Sequence, residues 1–178
     1  MIDDQIYEYS ACFKKAIERA RDAGLFENDI SFYKFPNACC GDTCDLLAEF
    51  LHHQGIDTIY VCGDLDRQSH AWLVVKDGRV KMPTKRYVGI PSEVRAALNK
   101  YGNDQYNERV EICHYEESDI DQGLIIDITA DQFGELGVYV NYMGDFHGQF
   151  AFENAHDYNG LATARLKRIY DIILKFID

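Results

Sequence analysis

The stretch that most constrains this chain runs from Phe35 to Leu51, where a Pro-bearing loop meets a Cys-Gly turn and a helical pattern begins at once. Cys40, Cys44, Leu47 and Leu51 recur at steps of four, three and four, so they share one stripe of that helix. Cys40 then falls in the first turn, where unpaired N–H groups carry partial positive charge. A thiol so placed loses its proton readily, with pKa values of about 3.5–7.5 known at helix ends or beside an imidazolium. The thiolate is the form that attacks carbonyl carbon, which makes Cys40 the candidate nucleophile. Cys39 is rotated about 100° off the stripe, and Cys44 lies one turn deeper, as a core residue would.

The rest of the chain reads as elements that could surround such a helix. Ile6, Tyr9, Phe13, Ala16 and Ala20 predict an amphipathic helix over 5–23 with Gly24 as its stop. Residues 25–38 have no clear period and read as a surface loop. Gly55 suits the position just past the nucleophile helix. Thr58–Cys62 and Ser69–Lys76 read as strands, with His70, Trp72 and Val74 on one face of the second. Asp77-Gly78 signals a hairpin returning through 79–82. Pro91 to Tyr101 reads as a short helix and Arg109 to Tyr115 as a strand. Leu124–Thr129 is apolar on both faces except for Asp127, the signature of a doubly covered strand. Residues 138–141 form a further short strand, and a helix from about Leu161 closes the chain. One domain over 1–178 is expected, an α+β fold with helices packed on a mainly antiparallel sheet.

Charge and composition remove several functions. A net charge of −12 argues against nucleic acid, whose phosphates require Lys and Arg, and is compatible with a basic peptide substrate. No apolar run approaches about 18 residues, so no membrane span is expected. The N-terminus lacks the character of a signal peptide, and six cysteines without one point to reduced thiols in a cytoplasm.

Thiol chemistry on acyl groups needs a base and a group that orients it. His70, at the start of an apolar strand, is the candidate base, because an imidazole titrates near neutrality. Asp127 is the candidate orienting acid, since a carboxylate in an apolar strand is costly unless paired. The backbone N–H of Cys40 is one candidate oxyanion donor, and Asn37 and Gln132 are the side-chain amides nearest the motifs. Blander roles also exist. Cys40 could be a buried free thiol, and a Cys39, Cys40, Cys44 and His70 zinc site is conceivable although Cys-x-x-Cys pairing is missing. His52 and His53 suit a helix C-terminus. His147 and His156 fit no element and are expected at the surface.

At these residues the chain resembles the transglutaminase-like branch of the papain-like thiol enzymes. The resemblance rests on Cys40 opening a helix, Gly55-Ile56 leading 15 residues later into a strand, His70-Ala71-Trp72 and Asp127-Ile128-Thr129. It covers roughly 35–80 and 122–133. It implies a nucleophile helix packed on a sheet that bears base and acid, and a Cys40–His70–Asp127 triad acting through an acyl-thioester. The substrate would be the amide of a protein or peptide. Peptide cleavage, glutamine deamidation and transamidation all stay open, with hydrolysis favoured because no marked amine-binding feature is present. No cofactor or metal is called for. Compact members bring the acid strand soon after the base strand, whereas 57 residues separate His70 from Asp127 here. The difference marks an insertion at about 81–121, suited to a lid or a substrate wall. The alternative from another class is a catalytically inactive binding or regulatory module on the same scaffold.

Overall fold

The computed structural model describes residues 2–89, 91–94, 96 and 109–177. The chain opens with α1 (Ile2–Asp22), acidic in its first turn and basic in its last, as the helix dipole favours. Its stripe of Ile6, Phe13, Ala16, Ile17 and Ala20 is buried. The following segment is no mere surface crossing: Phe26, Phe32 and Phe35 are buried, and the rings of Phe32 and Phe35 stack. That aromatic plug, with a cis Phe35–Pro36 bond, leads into α2 (Cys40–His53). Gly55, at φ +78°, ends α2 in the left-handed conformation that glycine adopts without a Cβ penalty.

Two strands follow, β1 (Thr58–Leu65) and β2 (Gln68–Val75), paired antiparallel from Thr58↔Val75 to Leu65↔Gln68. β1 runs three residues beyond the expected Thr58–Cys62, and β2 lies one residue earlier than the expected Ser69–Lys76. Asp66 and Arg67 turn the chain in two residues with φ of 51° and 69°, a primed turn built without glycine. Its cost is offset in part by Arg67 N–H donating to Asp64 Oδ1 at 2.9 Å.

The expected return strand at 79–82 does not form. Asp77 instead accepts from Arg79 N–H, and the other flank of β2 is taken by β5 (Leu124–Asp127), through Leu73↔Ile126 and Val74↔Ile125. All four β5 residues are buried, so this pairing removes far more apolar surface than Arg79 and Lys81 could. β3 (Thr84–Gly89) and β4 (Arg109–His114) form a separate antiparallel ribbon inside the 81–121 stretch. Residues 92–94 are helical, and most of the expected 91–101 helix lies outside the described residues. One turn of helix, α3 (Glu117–Ile120), is closed by a capping box between Glu116 and Asp119.

β6 (Tyr139–Tyr142) and β7 (Ala151–Asp157) complete a five-stranded antiparallel sheet in the order β6-β5-β2-β1-β7. The fold is thus α+β. The last described helix is α4 (Ala164–Leu174), capped by Thr163 Oγ1 accepting from Leu166 N–H. One sheet face carries Ala71, Leu73, Val75, Leu124 and Ile126 against the helices. The other carries Ile59, Val61, Trp72, Val74 and Ile125 against Tyr115, Ile120 and Phe150.

Candidate active site

Alternation along β2 sends His70 to the second face together with Trp72 and Val74. Alternation along β5 sends Asp127 the same way as Ile125. Because β5 lies beside β2, the two polar residues meet: His70 Nε2 lies 2.7 Å from Asp127 Oδ2, with both side chains at most 1% exposed. Asp127 Oδ1 accepts from Thr129 N–H at 2.8 Å and from Thr129 Oγ1 at 3.1 Å. Burial pushes the Asp127 carboxyl up, but the donors from His147, His70 and Thr129 and the charge of His70 more than reverse this, so it stays ionised.

Cys40 comes from the opposite layer. The start of α2 has no side-chain cap from Cys39. Burial raises the Cys40 thiol, yet its net pKa is lowered by a hydrogen bond and charge interaction with His70 and by the backbone N–H groups of Ala71 and Gly41. Burial likewise lowers His70, but the Asp127 and Cys40 interactions bring it up to about 9. The other thiols with shifted values move the opposite way. Burial pushes Cys39 up to about 12 and Cys44 well above the usual range, and Cys62 also rises.

Two features support the placement of the ring. Gly63 sits opposite His70 at a register shift in β1, where a Cβ would lie 2.8 Å from the Ala151 carbonyl oxygen. Arg165 of α4 binds Asp29 through Nε and Nη2 and Asp42 Oδ2 through Nη1 at 2.7 Å, tying the closing helix to the loop and the first turn of α2.

Of the side-chain amides singled out in the sequence, Gln132 enters the site. It follows β5 on a 3-10 turn, and its Nε2 lies 3.4 Å from His70 Nδ1. Asn37 instead donates to Lys34 O and is exposed.

His147 corrects the expectation of a surface position. It is 1% exposed, and its Nε2 lies 3.0 Å from Asp127 Oδ2, the oxygen that His70 also uses. The signal for it is Phe146-His147-Gly148-Gln149-Phe150, in which two aromatic residues flank the histidine. His156 is exposed, as expected, and stacks on Tyr60.

His70, Asp127 and His147 are also the described group whose donor atoms converge within 4.8 Å, as a metal set would, in place of the cysteine set weighed from the sequence. Separations of 2.7 and 3.0 Å are hydrogen-bond lengths, whereas tetrahedral ligands about 2.0–2.1 Å from zinc stand roughly 3.3 Å apart. We therefore read the three as a hydrogen-bonded network.

A groove of about 820 Å³ lined by Glu49, Leu161, Lys167 and Tyr170 contains none of these residues. Among the described residues no helix is long and apolar enough to cross a membrane. No family model, curated protein or solved structure matches the chain.

Proposed function

We propose that the protein is a thiol-dependent amide hydrolase, a cysteine protease or deamidase of papain-like and transglutaminase-like type, with Cys40, His70 and Asp127 as its triad. The observation that carries this reading is the buried pairing of His70 with Asp127 at 2.7 Å on adjacent strands, with the Cys40 thiol interacting with the same ring. The thiol of Cys40 is made more acidic and the imidazole of His70 more basic, the directions that favour a thiolate–imidazolium pair.

In the proposed cycle the Cys40 thiolate bonds to the amide carbon. The carbonyl electron pair moves to oxygen, where the Cys40 backbone N–H and the Gln132 amide are the available donors. The C–N bond then breaks as the His70 imidazolium passes its proton to the departing amine or ammonia. Neutral His70 next takes a proton from water, and the hydroxide attacks the thioester. The carboxylic acid leaves, and the sulfur departs as the thiolate beside the regenerated imidazolium. Asp127 holds the ring by Nε2 and balances the imidazolium charge. Hydrolysis is favoured over transamidation because no marked feature for binding an acceptor amine accompanies the site among the described residues. The net charge of −12 suits a basic peptide substrate.

Iodoacetamide labelling at pH 6–7, mapped by mass spectrometry, tests the proposal. Cys40 should be modified before every other cysteine. Uniformly slow labelling of all six would instead favour a binding module that keeps the scaffold without the chemistry.

A further inference from the structure

The proposed triad does not use a buried histidine that contacts it. His147 lies behind Asp127, on the 3-10 turn between β6 and β7, and shares a carboxylate oxygen with His70. We infer that His147 is a second positioning residue of the site, one that fills the last acceptor position of Asp127 and divides that carboxylate between two imidazoles. The inference rests on the reading of Cys40 as nucleophile and extends it to a residue outside the triad.

A proton count of the network supports it. An ionised carboxylate only accepts, so each ring that approaches it must donate. Both rings approach through Nε2, so both carry a proton there. Thr129 supplies two donors to Oδ1, and the two histidines supply two to Oδ2. Four donors match the roughly four lone-pair sites of a carboxylate. Among the described residues, His147 Nδ1 is buried without a partner. A proton there would be a stranded donor in an apolar pocket, so the ring is held as the neutral Nε2–H tautomer. Water has little access as a substitute, since Trp72, Tyr139 and Phe146 surround the ring with centroids at 5.2, 4.6 and 4.8 Å. A residue serving only to fill space would be apolar here, as its aromatic neighbours are.

The division has a consequence for His70. A carboxylate that gives part of one oxygen to a neutral donor pulls less strongly on the imidazolium opposite it. His70 is then a better acid toward the leaving amine than an unshared Asp127 would allow. Removing the His147 donor should concentrate the carboxylate charge on His70, raise the affinity of His70 for its proton and make the Cys40 thiolate form at lower pH. The other titratable groups facing this network are Cys40 and Cys44 from α2, Tyr139 from β6, and the Lys14–Asp131 pair joining α1 to the turn after β5. Lys14 pairs with Asp131 Oδ2 at 2.6 Å and also donates to the Ile128 carbonyl at 2.8 Å.

The test compares the full-length protein with His147→Phe and His147→Gln. Gln carries a donor about where Nε2 stands, and Phe keeps the ring without one. Two readouts are followed against pH: iodoacetamide labelling of Cys40 and the NMR titration of His70. His147→Phe should move the Cys40 midpoint down and the His70 midpoint up, each by about one pH unit, the worth of one hydrogen bond to a charged group. His147→Gln should restore both midpoints toward wild type. A purely structural role would loosen the pair and send both midpoints the other way, toward ordinary thiol and imidazole values. That result, or no movement at all, overturns the inference. If His147→Phe does not fold, nitrogen-15 NMR of the wild-type histidines decides: protons on Nε2 of both rings are expected, and a proton on Nδ1 of His147, or stoichiometric zinc in the purified protein, overturns the inference. A wild-type protein whose Cys40 labels no earlier than its other thiols overturns the nucleophile reading instead, so the two failures are separable.

Discussion

The two faces of the five-stranded sheet follow different rules. Against the helices, Leu73, Val75, Leu124 and Ile126 meet Leu47, Leu51 and Phe50 in an apolar layer where each side chain acts by volume and area. Against the other face, His70, Asp127 and His147 form a polar chain enclosed by Trp72, Phe133, Phe146 and Phe150. There the Asp127 carboxylate and the two Nε2 atoms act through one another, and aromatic rings keep water from replacing them. The first face is expected to tolerate change in proportion to lost volume. The second is expected to fail as a unit. Cys40 joins them, mounted on the helical layer and coupled to the polar one.

The largest expected effect is at that junction. Cys40→Ala should abolish low-pH labelling, and it should lower amide hydrolysis by about 10⁴-fold or more once a substrate is found, while leaving the melting temperature nearly unchanged. Retained activity would show that the sulfur is not the junction.

Next in size is the polar face itself. Asp127→Ala strips the partner from two buried imidazoles and should cost about 3–5 kcal/mol in denaturant unfolding, while slowing Cys40 labelling at pH 6. The helical face provides the control. Leu47→Ala should cost about 2–5 kcal/mol, yet leave the pH midpoint of Cys40 labelling where it was. If that midpoint moved with Leu47, the two faces would not be independent.

The pH dependence follows from the directions of the shifts. The folded-state value of His70 is raised, so the stability it contributes is fully present below about 6.5 and is lost as pH rises through about 9. Asp127 is depressed, so its contribution is present above about 3.8 and is lost as pH falls through its lower folded-state value. Unfolding free energy measured across this range should therefore decline on both sides. Catalysis should decline above about pH 9, where the proton donor is lost. The smallest effect lies far from either face: Thr163→Ala should cost about 1 kcal/mol by removing the cap of α4.

How much of this was legible in the sequence follows the same division. The stripe of α2, the glycine after it and the doubly buried β5 could be read because helical and strand periods report which side faces a core. Asp127 stood out because an acid in an apolar strand needs a partner. The missing pieces lacked such a period. His147 lies on a single 3-10 turn, and β7 is exposed at four of its seven positions, so neither repeats. The Asp66-Arg67 turn gave no glycine signal, while Asp77-Gly78 gave a strong one and made a turn without a hairpin. In that case the competition between β5 and residues 79–82 for the flank of β2 was decided by burial at long range, which a local dipeptide does not encode.

The most direct measurement is the pH midpoint of Cys40 alkylation in the wild type and in His70→Ala. The account expects a wild-type midpoint below the ordinary thiol value of about 8.5, returning to or above that value when the imidazole is removed. Equal midpoints in the two proteins, both near or above 8.5, would contradict it.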